Sequence, residues 1–189
     1  MNPYESCPVF EDDNFKLRLI EAGDTEGLLK VYSDEKAVPF FNSDNCHGDD
    51  FHYTTRERID QAIEYWLWEY ERRGFVRWAI VSKNEGEAVG TIELFHRVSE
   101  DAFNGCGLLR LDLRSDYENE PHIYNILSLI NPSVYEMFDC EMIVTKIPPA
   151  ATDRRAAAEK LGFKASDIKL VGEDKTEYSD YFVCDKIKQ

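Results

Sequence analysis

Residues 108–130 read LLRLDLRSDYENEPHIYNILSLI, and their period changes partway along. Leu109, Leu111 and Leu113 alternate with Arg110, Asp112 and Arg114, as in a strand with one apolar face. After a polar turn, Ile123, Ile126, Leu127 and Ile130 fall on one face of a helix. The segment therefore predicts strand, turn, helix. A helix N-terminus brought to a strand end gathers free amides and the positive pole of the helix dipole, so such turns commonly hold anions. This turn is itself acidic, carrying Asp116, Glu118 and Glu120. Two readings stay open: an acidic helix cap, or an anion site opposed by its own side chains.

Downstream, Asn131-Pro132 should interrupt or kink the helix, because proline removes a backbone donor and crowds the preceding turn. Cys140 to Thr145 predicts a strand. Thr152 is placed to cap a helix through Ala156, Ala157 and Leu161 that stops at Gly162, and Glu177 to Ile187 supplies a last strand. Upstream, Phe75 to Ser82 and Ala88 to Val98 read as a hairpin rich in β-branched and aromatic residues. Before it, Thr54 to Arg73 has the clearest helical pattern: a Thr54–Glu57 capping box, apolar positions at Ile59, Ala62, Ile63, Trp66, Leu67 and Tyr70, and a stop at Gly74. Its aromatic stripe reads as core.

Pro39 to Tyr53 (PFFNSDNCHGDDFHY) has no period and predicts a loop with a lid or binding role. Phe15 to Ile20 is a first strand, and Asp24 an N-cap for a short helix through Leu28, Leu29, Val31 and Tyr32 despite Gly27. Residues 1–14 form a polar, acidic N-terminal arm, leaving 15–189 as a single domain. The order is β, α, α, three β, α, β, α, β.

Composition narrows the function. With 189 residues, 43% of them hydrophobic, the chain can close one sizeable core. A net charge of -15 argues against nucleic acid, whose binding depends on Lys and Arg neutralising phosphates; cationic small molecules or basic peptide ends suit it better. The five cysteines lack paired spacing and follow no secretory leader, which predicts reduced thiols and a cytoplasmic setting. No apolar run approaches the roughly 20 residues needed to cross a bilayer, so no membrane role is expected.

Three stretches carry a resemblance: FKLRLIEAGDTEGLLKVYSD (15–34), AIVSKNEGEAVGTIELFHR (79–97) and RRAAAEKLGF (154–163). In this order and spacing the chain resembles the GNAT superfamily of acyl-CoA N-acyltransferases, most closely the branch that includes ribosomal-protein-alanine N-acetyltransferases. The resemblance implies an α+β (three-layer α/β) fold, with a central mixed, mostly antiparallel sheet flanked by helices. It also implies acetyl-CoA as cofactor and a small-molecule or peptide amine as acceptor. Leu111 and Leu113 would lie along the pantetheine arm, the Leu113 amide would face the developing oxyanion, and Asn119, Glu120, Pro121 and His122 would occupy the diphosphate turn.

That turn departs from the family's pattern. Asn119 and Pro121 stand where glycines are usual, and Glu118 and Glu120 where basic or small residues are usual. A carboxylate about 5 Å from a phosphate charge costs roughly 3 kcal/mol at an effective dielectric of about 20, before screening. The helix dipole opposes it with only about half a charge. In the later helix, Ala151, Arg154 and Ala158 occupy positions where the family commonly has Asn, Ser or an acidic Tyr. No general acid is visible there; Arg154 and Arg155 read as a solvated helix face, with a phosphate contact as the sharper alternative.

Glu93 is the candidate general base, sharing a strand face with Thr91 and Phe95; a plain glutamate on a half-exposed strand is the equal alternative. The loop carboxylates Asp44, Asp49 and Asp50 would attract a cationic acceptor. Cys46, His47 and His52 beside them match no standard metal-ligand spacing, so no metal is expected. Two functions follow: an N-acetyltransferase acting on a basic small molecule or a peptide N-terminus, or a GNAT-fold binding or regulatory module that has lost its cofactor. The oligomeric state, including a homodimer, stays open.

Overall fold

The alternating stretches pair into one sheet in the computed structural model, which describes residues 2–187. Its strands are β1 (Phe10–Glu11), β2 (Phe15–Leu19), β3 (Val76–Ser82), β4 (Glu87–His96), β5 (Gly107–Leu113), β6 (Met142–Lys146), β7 (Lys164–Ala165) and β10 (Tyr181–Asp185), ordered β1-β2-β3-β4-β5-β6-β10-β7. β5 and β6 run parallel and the other neighbours antiparallel. A separate hairpin joins β8 (Leu170–Val171) to β9 (Glu177–Tyr178). The helices are α1 (Thr25–Tyr32), α2 (Arg56–Glu71), α3 (Glu120–Met137) and α4 (Thr152–Lys160). The fold is the mixed, mostly antiparallel α+β arrangement expected.

Side-chain alternation gives the sheet two covered faces. Leu109, Leu111 and Leu113 join Trp78, Ile80, Ile92 and Leu94 beneath Ile123, Ile126 and Ile130 of α3 and Ala157 of α4. Ala79 and Ala88 face the other way, under Leu28, Val31 and Tyr32 of α1 and Ile59, Ile63 and Trp66 of α2. Gly27 belongs to this contact. A Cβ there would stand 2.5 Å from the Ala88 carbonyl oxygen, so α1 rests directly on the backbone of β4.

Several local expectations change. α3 runs through Pro132 to Met137. The lost backbone bond and ring clash cost about 3 kcal/mol, whereas burying one large aliphatic side chain returns about 1.5–3 kcal/mol. Val134 and Met137 continue the buried stripe past the proline and hold the helix on. The cap of α2 is Thr55, whose side chain accepts from the Arg58 amide at 3.3 Å, so the Thr54–Glu57 capping box does not form. Ala151 precedes α4 and Thr152 is its first residue. The expected final strand divides at Asp180, whose φ of +67° turns the chain between β9 and β10.

The N-terminal arm lies against the sheet. β1 extends it beside β2, the Trp78 indole N–H donates to the Pro8 carbonyl at 2.9 Å, and Tyr4 packs 6.0 Å from Tyr70. All five cysteines are free thiols. Among the described residues, no helix is long and apolar enough to cross a membrane.

Candidate active site

The parallel pair β5–β6 is short. It covers Gly107–Ile143, Leu108–Val144 and Leu109–Thr145, and beyond Leu109 the strands part. The Arg114 amide donates to Val89 at 3.0 Å, back toward β4. Amide directions alternate along a strand, so those of Leu113 and Leu111 face the opening. A backbone edge is thus presented to a cleft with no strand opposite it, the arrangement expected for the arm of an acyl-pantetheine.

The cleft is already bridged. Arg154, read as part of a solvated helix face, is 3% exposed. Its guanidinium forks onto the Glu118 carboxylate at 2.7 Å through both Nε and Nη2, while Nη1 donates to the Leu111 carbonyl at 2.9 Å and the Phe40 carbonyl at 3.0 Å. One side chain therefore ties α4 to the edge of β5, to the turn before α3, and to the short 3₁₀ turn Val38–Phe40. Arg155 stays at the surface of this region, its guanidinium donating to the carbonyls of Ile147 and Pro148.

The turn has few donors left. The Ser115 amide donates to Asp34 at 2.9 Å, Tyr117 to Arg114, Glu118 to Ser115 and Asn119 to Tyr117. The Asn119 side chain caps α3 by accepting from the His122 amide at 3.2 Å, and Pro121 has no amide to offer. The bordering cations each hold a carboxylate: Arg114 grips Asp116, Glu85 and Glu87, Lys160 pairs with Glu120, and Arg154 with Glu118. The strand edge is open along Leu111 and Leu113, and the turn beside it is closed by ion pairs among its own carboxylates and the bordering cations.

On the opposite sheet face lies a buried charged cluster. Glu93 is 1% exposed, which removes the half-exposed alternative, and it sits between the guanidiniums of Arg77 and Arg110, the latter at 2.8 Å. Burial acts to raise its carboxyl, but Arg77 and Arg110 outweigh burial and hold it below the ordinary carboxylate range. Asp112 shares the cluster, accepting from the Tyr32 hydroxyl at 2.8 Å and facing Arg77 at 3.3 Å, with its other carboxylate oxygen buried and unpartnered. For Asp112 burial wins and the carboxyl is pushed up. The environment thus separates two neighbouring carboxyls, a pattern typical of functional clusters. The sequence reading placed Arg110 and Asp112 on a polar strand face; the signal it lacked was the register that sets Arg77 opposite Glu93, and Glu93 opposite Arg110.

Above this cluster, the 41–53 loop and α2 enclose a cavity of about 260 Å³ lined by Cys46, Phe51, Tyr53, Trp66, Arg77, Glu93 and Arg110, among others. Two of the loop carboxylates, Asp44 and Asp49, are paired with cations, and Asp50 does not line the cavity. Asp44 holds Lys146 at 2.6 Å and the Tyr181 hydroxyl at 3.0 Å, Asp49 holds Arg58 and the Tyr53 hydroxyl, and Asp50 accepts from the His52 amide. Among the described residues, no group of three or more His, Cys, Asp or Glu is arranged to hold a metal.

The acetyltransferase (GNAT) domain family matches residues 14–164, most of the chain. Comparison of the sequence with curated proteins returns no match. Among solved structures, the chain is similar to a ribosomal-protein-S5-alanine acetyltransferase from Vibrio fischeri, with a TM-score of 0.69 at 16% identity over 95% of this chain and 96% of that one. A GNAT-family acetyltransferase from Bacillus anthracis gives 0.68 at 12% identity over 94% and 98%. RimL, a ribosomal L7/L12 alpha-N-protein acetyltransferase in complex with coenzyme A, gives 0.68 at 11% over 95% and 98%. At these identities the structures speak for the fold, and the family match speaks for descent: the chain belongs to the acetyltransferase (GNAT) domain family.

Proposed function

We propose that the chain transfers an acetyl group from acetyl-CoA to the amine of a small molecule or a peptide N-terminus. The family uses acetyl-CoA, which supplies the acyl group as an activated thioester. The observation that carries the reading is the parting of β5 and β6 beyond Leu109, with the amides of Leu111 and Leu113 turned toward the opening. In this reading Leu113 is the backbone donor at the reacting carbonyl, and the aromatic-walled cavity beside Arg110 admits the acceptor. Glu93, kept ionised by two guanidiniums, is a weak proton acceptor; its part is to hold Arg110 against the cavity wall.

The test is thiol release from millimolar acetyl-CoA in the presence of a panel of primary amines and short peptides. Release that depends on the amine is expected. Thiol release no faster than hydrolysis with every acceptor, together with no heat on titrating in the donor, would end the reading.

A further inference from the structure

We propose that Arg154 and Glu118 form a latch across the donor groove, so that an acyl-CoA enters only when Arg154 withdraws from the carbonyl of Leu111. The proposal rests on the donor reading above. Leu111 lies on the one stretch of β5 that has lost its neighbour β6, and its carbonyl is held at 2.9 Å by Arg154 Nη1. The same nitrogen reaches the Phe40 carbonyl at 3.0 Å, so the guanidinium spans the opening from strand edge to 3₁₀ turn. A ligand arm lying along Leu111 and Leu113 meets this group first.

The second half of the latch is electrostatic. Glu118 is 7% exposed at its side chain and has both carboxylate oxygens on Arg154 at 2.7 Å. Withdrawing Arg154 strips this carboxylate of its partner beside the turn where the donor's diphosphate would lie. Among the described residues, the neighbouring cations Arg114 and Lys160 hold carboxylates of their own and do not answer the exposed charge. The donor is therefore opposed twice, by the space Arg154 fills and by the charge its departure uncovers. Stability does not require such a device: a buried ion pair is often matched or exceeded by apolar side chains of similar volume.

The experiment is calorimetric titration of acetyl-CoA into the full chain and into the Arg154→Ala/Glu118→Ala double variant, with folding checked by circular dichroism. A gain in affinity of at least about tenfold in the double variant is expected. A companion measurement needs no variant: the Arg154 side-chain Nε–H is followed by NMR hydrogen exchange in the wild-type chain, and its protection should fall as acetyl-CoA is added. Equal affinity of the two chains, or Arg154 Nε–H protection unchanged at saturating donor, overturns the latch while leaving the donor reading in place. Failure of both chains to bind at millimolar donor removes the latch and the donor reading together.

Discussion

Arg77 and Arg154 are both buried, both paired with a glutamate and both hydrogen-bonded beyond that pair, yet the structure holds them in different ways. Arg77 stands in the middle of the sheet, and its partners Glu93, Thr91 and Asp112 come from the adjoining strands β4 and β5. The Trp66 ring lies 4.2 Å from its guanidinium. Register fixes the strand residues of this cluster, and the Tyr32 hydroxyl of α1 joins it 3.0 Å from Arg77. Arg154 comes from a helix end and joins elements that no ladder connects. One arrangement is built into the sheet; the other is laid across a gap in it.

The comparison is broken most directly by removing each arginine alone. Arg77→Met strands Glu93 and Asp112 in the interior and should destabilise the chain by about 3–5 kcal/mol in urea unfolding. Arg154→Met strands one carboxylate, Glu118, where Arg77→Met strands two, and should lose about half as much. Equal losses would show that the groove pair is as deeply embedded as the sheet cluster.

Acid sharpens the contrast within the cluster. Glu93 has a folded-state pKa below its ordinary value of 4.5, so it contributes stability that is fully present above that value and lost as pH falls through the folded one. Glu93→Gln should therefore cost about 2–3 kcal/mol at pH 7. It should also flatten the decline of stability below about pH 4.5 seen in the wild type. An acid limb with the same slope in both chains would remove Glu93 from that role.

Asp112 has the opposite sign. Its folded pKa is raised above 3.8, so its proton is held more tightly in the folded chain, and stability is lost as pH rises through the folded value. Asp112→Asn removes a charge that burial opposes, and should cost less stability at pH 7 than Glu93→Gln. A loss as large as that of Glu93→Gln would mean that Arg77 depends on both carboxylates equally.

Much of the fold was legible in short-range pattern. Strands 15–19, 76–82 and 107–113, and the two long helices, follow from alternation and helical spacing, because burying one face of a strand or helix imposes that period on the residues themselves. Helix ends were less legible. Thr54 and Thr55 are chemically equivalent caps, and the choice between them depends on where α2 must begin to seat Ile59 and Trp66 in the core. Pro132 does not end the helix for a related reason: its local penalty is fixed, whereas the burial that outweighs it comes from the sheet under α3.

The candidate site divides along the same line. The acidic, glycine-free turn and the missing acid near Arg154 were visible in the residues, since they concern which side chains stand beside one another in the chain. That Glu93 would be sealed between two arginines, that Asp112 would share Arg77 with it, and that Arg154 would reach back to Glu118 and Leu111 were not. Those contacts join residues 16 to 43 positions apart, and strand register and the parting of β5 from β6 bring them together. Chain-local chemistry decided what each element is, while pairing between distant elements decided which charges meet, because a Coulomb interaction depends on separation in space and takes no account of separation along the backbone.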